Sequence, residues 1–183
     1  EFDDCVDSEI SVFMRNIHVI NLHEEPREIR LFMYQAFAIG DSRSNTDTAQ
    51  YLPDSDAILH YRGRRAFVVS GSHDKEHFDQ YSIGLFGIEG HEGSFRDADD
   101  GELSGNNVEH GRVDSILRFT LHVAARSSER VHYWIAAGMT IREALYIHKQ
   151  TKHDGIGKRL HSTANWWHQW LTPAIELAKK VPV

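Results

Sequence analysis

The sequence predicts a mainly β chain, an antiparallel β-sandwich followed by C-terminal helices. Three observations carry that prediction. Residues 1–139 are a succession of short runs rich in Ile, Val and Phe, punctuated by Gly, Pro and charged turns. No helical repeat separates those runs, which excludes βαβ units and a parallel sheet. At Gly138 the apolar spacing changes from two to about 3.6 residues and keeps that period through residues 140–183.

The first element, residues 9–21, alternates imperfectly but is strongly β-prone. After the turn Glu24-Glu25-Pro26, residues 27–39 alternate well. Ile29, Leu31, Met33, Phe37 and Ile39 share one face, and Arg30, Phe32 and Tyr34 share the other. Apolar residues on both faces point to a strand covered on both sides. The short Pro-containing link predicts that these two runs pair as a hairpin. Residues 57–61 and 66–70 form a second pair around Arg62-Gly63-Arg64-Arg65, where glycine suits a turn needing φ > 0. Residues 81–86 are another strand, and 113–123 and 131–137 follow, linked through residues 125–129. The count is roughly seven strands, as in a sandwich or barrel. Between them, residues 87–111 carry six glycines and almost no apolar side chain. A loop so long inside a compact domain usually serves as a contact or functional surface.

In the tail, Thr140-Ile141-Arg142-Glu143 has the form of a capping box opening a helix. A break at Asp154-Gly155-Ile156-Gly157 precedes a longer helix, 158–180, which Pro173 is expected to interrupt. Leu160, Ala164, Trp167, Trp170 and Leu171 recur at helical spacing and read as a packing face.

The 183 residues suit one domain, alone or with an appendage. Twenty Lys and Arg against 27 Asp and Glu leave a net charge of −7 spread along the chain, without the basic stripe of a nucleic-acid binder. Apolar runs of five residues or fewer fall far short of a membrane span. A single cysteine, Cys5, excludes an internal disulfide and a cysteine-based zinc ribbon. With one free thiol and no signal peptide, the expected location is the cytoplasm. The chain opens Glu-Phe-Asp-Asp without a methionine, and we expect it to be a segment of something longer.

Thirteen histidines raise the question of a metal. His73 and His77 lie four apart among Asp74, Glu76 and Asp79. Their flanks read as turn and strand rather than helix, and the glutamate of an HExxH motif is missing, so no metal site is assigned. His148, His153, His161 and His168 read as solvated helix-surface residues. The acidic run from Asp97 places Gly101 at position 5, out of frame for an EF-hand loop. No nucleophile elbow, P-loop or dinucleotide fingerprint is present, and no cofactor is implied. Many carboxylates are available for glycoside hydrolysis, but nothing singles out two of them.

The central segments are more specific. They read Asp47-Thr48-Ala49-Gln50-Tyr51-Leu52-Pro53, Ile58-Leu59-His60-Tyr61-Arg62-Gly63-Arg64-Arg65 and Phe78-Asp79-Gln80-Tyr81. Then come Glu92-Gly93-Ser94-Phe95-Arg96-Asp97-Ala98-Asp99-Asp100-Gly101-Glu102-Leu103-Ser104-Gly105-Asn106 and Gly111-Arg112-Val113-Asp114-Ser115. Their order and spacing resemble the N-terminal domain of prokaryotic glycoside hydrolase family 15 proteins, the glucoamylase and glucodextranase group. The resemblance runs from about Asp4 to Leu171, with 96–106 its most specific part. Ser94-Phe95 stands where the family has Thr-Trp. Trp134-Ile135-Ala136-Ala137-Gly138 resembles the last sandwich strand. Residues 163–171 resemble the helix that links the sandwich to an (α/α)6 barrel.

What the resemblance implies is a galactose-mutarotase-like β-supersandwich, incomplete at its start, over 1–139, and a helical linker over 140–183. The partner implied is the family's own (α/α)6 catalytic barrel, with its two glutamates, acting by inversion on an α-glucan or oligosaccharide. No residue of this chain matches a catalytic motif, and none is assigned. The loop 87–111 is the expected barrel-facing surface, with Phe95, Arg96, Asp97, Asp99, Asp100, Glu102 and Asn106 as candidate interdomain contacts. A sandwich lacking strands would expose edges that favour self-association. The alternative reading is a carbohydrate-binding module acting by itself, and the packing role expected of the tail tryptophans weighs against it.

Overall fold

The computed structural model describes residues 1–40, 45–74 and 76–179. Twelve strands are described: β1 (Phe2–Val6), β2 (Val12–Ile20), β3 (Arg27–Ala36), β4 (Asp47–Leu52), β5 (Ala57–Arg62) and β6 (Arg65–His73), then β7 (Glu76–His77), β8 (Gln80–Ile88), β9 (His91–Glu92), β10 (Val108–Gly111), β11 (Val113–Val123) and β12 (Ser128–Gly138). Helices α1 (Ile141–Asp154) and α2 (Ile156–Ala178) follow β12. The strands make two antiparallel sheets. The larger is ordered β1-β2-β12-β6-β5-β4-β10, with β7 paired to β6, and the smaller β3-β11-β8-β9. The fold is the β-sandwich with C-terminal helices that the sequence predicts.

Period-two alternation decides which layer each side chain enters. In β11, Val113, Leu117, Phe119, Leu121 and Val123 face the larger sheet and pack on Ile17, Ile58, Val69, Val131 and Tyr133. On the far side of the larger sheet, the alternate residues Met14, Leu59, Val68, Trp134 and Ala136 meet Ala144, Ile147 and Ile156 of the helices. The larger sheet is therefore buried on both faces, and each fully buried aliphatic side chain contributes about 1.5–3 kcal/mol. At the β5–β6 turn Arg62 pairs with Arg65, leaving a two-residue loop whose first residue, Gly63, has φ +55°. That left-handed conformation is the one glycine was expected to supply.

The expected pairing of the first two runs is wrong. β2 pairs with β1 and β12, whereas β3 pairs with β11 in the other sheet. The link between them is a corner from one sheet to the other, held by Asn21, which is 2% exposed. The Asn21 amide nitrogen lies within hydrogen-bonding distance of the carbonyls of Glu25, Val123 and Ala124, at 2.8–3.2 Å. The Val123–Ser128 corner crosses between sheets beside it. Twelve strands replace the expected seven, partly because polar β1 and β4 show no clear apolar alternation. The stretch 87–111 is likewise not structureless, since it holds β9, β10 and a 3-10 segment, Ser94–Asp100.

The capping box forms with a shift. Thr140 Oγ1 accepts the Glu143 N–H at 3.1 Å, but the Glu143 carboxylate reaches past the cap residue to the Met139 N–H, at 2.9 Å. His148 is buried rather than solvated. It takes the Trp134 indole N–H on Nδ1 at 3.1 Å and gives Nε2–H to the Ser55 carbonyl at 3.0 Å. Arg159, also buried, ties the start of α2 to Asp7, with Nε 2.8 Å from Oδ2 and Nη2 2.9 Å from Oδ1. Pro173 does not interrupt α2; on this exposed stretch solvent can satisfy the carbonyl it leaves unpaired. Lys180, the expected helix end, lies outside the described residues. Neither helix is long and apolar enough to cross a membrane.

One polar chain crosses the sandwich core. Tyr133 donates its hydroxyl to Gln35 Oε1 at 3.1 Å, Gln35 Nε2 donates to Ser115 Oγ at 2.6 Å, and Ser115 lies 2.8 Å from His60 Nε2. Ser115, which accepts from Gln35, has its own proton to give to Nε2, and with that assignment the His60 proton sits on Nδ1. Nδ1 has no partner. Ser115→Ala should cost about 1–3 kcal/mol, because two buried groups lose their partner; urea unfolding measures it, and an unchanged midpoint would contradict the assignment. Burial is the main cause holding His60 down to about 3 and His148 to about 4, against the ordinary 6.5. Unfolding lets both take up protons at the ordinary value, so stability is complete above about pH 6.5 and falls as the pH drops toward 4. Each histidine contributes up to about 1.4 kcal/mol per pH unit. His148→Gln should make that decline shallower in denaturation series between pH 6.5 and 4.5.

Candidate functional site

The outer face of the smaller sheet should be polar and wet, yet at β11 it is buried. Asp114 and Ile116 point outward and are 0% and 2% exposed, because the segment 90–106 lies over them. The Asp114 carboxylate accepts the Ser94 N–H at 3.1 and 2.9 Å and the Tyr34 hydroxyl at 2.8 Å. Burial and this carboxylate push the Tyr34 phenol well above its ordinary range. Two glycines allow the close approach. A Cβ on Gly84 would stand 3.0 Å from Ser94 and Asp114, and one on Gly93 would come 2.6 Å from Asp114 while φ is +130°.

The seven candidate contact residues separate into two groups. Asp97, Glu102 and Asn106 tether the segment. Asp97 accepts the Ser104 N–H and hydroxyl at 2.7 and 2.8 Å. Partial burial opposes its ionisation, but hydrogen bonds from Ser104 and Ser82 outweigh that and hold its carboxyl below the usual range. Glu102 binds Gln80 at 2.7 Å, Arg118 at 2.8 Å and Arg30 at 3.0 Å; the Gln80 bond, ahead of Arg118, lowers its pKa. Asn106 gives its amide to the Ile83 carbonyl at 2.7 Å and to Glu109 at 2.9 Å. Phe95, Arg96, Asp99 and Asp100 instead border solvent. Phe95 is 41% exposed and edge-on to Tyr34, with centroids 5.9 Å apart. Arg96 pairs with Glu92 at 2.5 Å and Asp99 at 3.5 Å, and Asp100 accepts the Glu102 N–H at 2.9 Å.

Asp114, Arg118 and Tyr34 anchor this surface without having been assigned a role in the sequence. The available signal was a carboxylate and a guanidinium inside the apolar run of β11. Beside the tethers a cavity of about 480 Å³ is lined by Ser82, Gly84, Ser94, Asp97 and Asn106 among others. The Ser94 hydroxyl is buried there with no partner among the described residues. The site offers hydrogen-bonding groups and an aromatic edge. The Ser115–His60 contact lies sealed in the core, beyond reach of a substrate.

Elsewhere, His73 and His77 diverge, His77 lying 3.4 Å from Asp56. Among the described residues, ligand atoms of His73, Asp74 and Glu129 come within 4.8 Å of one another and are the group that could hold a cation. Beyond Thr163 the tail stripe leaves the sheet. Trp166, Trp167 and Trp170 are 43%, 46% and 63% exposed, so of the expected packing face Leu160 packs on the sheet–helix core while the tryptophans are largely open to solvent.

No protein-family model matches the sequence, and no curated protein matches it either. Among solved structures, a bacterial glucoamylase in complex with acarbose superposes with a TM-score of 0.68 at 11% identity. The match covers 93% of this chain and 24% of that one, so the chain spans about a quarter of the glucoamylase's length. At this identity the likeness establishes the fold.

Asp114→Ala should leave the Ser94 N–H buried and unpaired, cost about 1–3 kcal/mol and accelerate amide exchange over 93–106. Exchange as slow as in the parent chain would show that the segment is held by other means.

Proposed function

We propose that this chain is the non-catalytic sandwich and linker portion of a family 15-type glycoside hydrolase, in which it supports a separate catalytic domain. That domain would hydrolyse α-glucosidic bonds with inversion. The observation that carries the reading is the superposition on a glucoamylase over 93% of the chain. The run of residues 96–106 is independent support from sequence. Fold likeness by itself would not indicate activity, since one fold hosts many functions.

On this reading the segment 90–106 faces the catalytic domain. Its tethers are satisfied internally, so Phe95, Arg96, Asp99 and Asp100 are left to meet a partner across a polar interface of the interdomain kind. The cytoplasm is the proposed location. A carbohydrate-binding module is the second reading, and the exposed Trp166, Trp167 and Trp170 favour it.

The test is the protein encoded by the complete reading frame, assayed on maltooligosaccharides with the anomer of the released sugar followed by NMR. We expect β-glucose as first product. Phe95→Ala with Arg96→Ala should lower activity or thermal stability of that protein, and no change in either would remove the segment from the interface. An absence of α-glucosidase activity would overturn the reading itself.

A further inference from the structure

We propose that the groove between α2 and the outer face of β1, β2 and β12 is a saccharide-binding subsite with Trp167 as its stacking wall. The groove encloses about 480 Å³, within the range of small-molecule sites. Leu160, Ala164 and Trp167 line its helical side, and Asp3, Asn16, Arg130 and His132 line its sheet side. A pyranose ring has an apolar C–H face and a rim of hydroxyls that both donate and accept. The groove offers the complement, an indole and aliphatic wall opposite mixed donors and acceptors.

The charges in the groove select against other ligands. Asp3 disfavours a phosphate or carboxylate ligand, Asp4 being paired with Arg15 at 2.6 Å, and Arg130 disfavours a cation. A purely apolar ligand would strand the polar wall without partners. Neutral polyhydroxyl compounds satisfy both sides. On the sheet side, Asn16 gives its amide to Asp3 Oδ2 at 3.1 Å, while its own Oδ1 is buried with no partner among the described residues. A small turn of the Asn16 amide would bring that oxygen to a sugar hydroxyl, the donor it lacks. Burial, more than nearby Arg130, lowers the pKa of His132, so near neutral pH it can accept or donate. Trp166 and Trp170 stand edge-on to Trp167, with centroids 4.8 and 5.6 Å away.

The choice of α-glucans as first probes rests on the function proposed above; the site does not. Cys5, which also lines the groove, is the chain's only thiol and a local reporter. The 183-residue chain is titrated with maltotriose, isomaltotriose and cellotriose, following amide and indole NMR signals and the rate of Cys5 alkylation by iodoacetamide. We expect saturable shifts at Asn16, His132 and Trp167 and at least threefold slower alkylation at saturation. Trp167→Ala should weaken binding at least tenfold. Gly157→Phe tests the same point without removing a packed side chain. A Cβ at Gly157, which also lines the groove, meets nothing within 4 Å, so the ring fills the groove and binding should be lost. Saturable binding of cellotriose alone supports the subsite and counts against the α-glucan reading. No saturable binding of any of the three sugars, or unchanged affinity in both variants, overturns the subsite and leaves the hydrolase assay to judge the other proposal.

Discussion

Two adjacent polar residues at the start of β11 hold the molecule together in both directions. Asp114 and Ser115 are both 0% exposed, and their side chains leave the strand on opposite faces. Ser115 completes the polar chain that joins the two sheets through Gln35, Tyr133 and His60. Asp114 binds the segment that covers the smaller sheet. Neither role could be filled by an apolar residue, because each side chain is the common partner of two donors or of a donor and an acceptor. Buried polar groups cost stability when unpaired and add specificity when satisfied. Here they fix how the sheets stack and where the covering segment lies.

How much of this was legible follows from what sets each feature. The sandwich class, most strand centres and the helical tail follow from local periodicity, so the sequence sufficed for them. Pairing did not follow, because β2 and β3 carry apolar residues on both faces and either could neighbour almost any strand. The corner at Asn21 decides it through carbonyls a hundred residues away, and no local pattern encodes that contact. His148 misled for a related reason. On α1 it occupies the helical face that meets Trp134 and Ser55, and only the docked helix shows that both ring nitrogens are partnered. At the candidate surface, the candidate residues were legible as a run. Their division into inward tethers and outward contacts depends on Asp114, Arg118 and Gln80, which come from neighbouring strands.

The chain is layered as covering segment, smaller sheet, larger sheet and helices. The proposed interdomain surface and the proposed saccharide groove therefore lie on opposite outer faces. A partner bound along the segment 90–106 would leave the groove open. Support of a catalytic domain and retention of a glucan chain are then compatible roles rather than competing ones.

The part of α2 beyond Thr163 makes a different kind of element from the rest. The sandwich and α1 are stabilised by burial, but this stretch, about four turns long, rests almost entirely on its own backbone hydrogen bonds, one of which Pro173 withholds. Isolated helices of such length are marginal in water. Its helicity is therefore coupled to whatever covers its tryptophans. Uncovered, it would fray on fast timescales without disturbing the β layers. Once covered, it would become a rigid lever fixed to the sheet through Arg159 and Asp7.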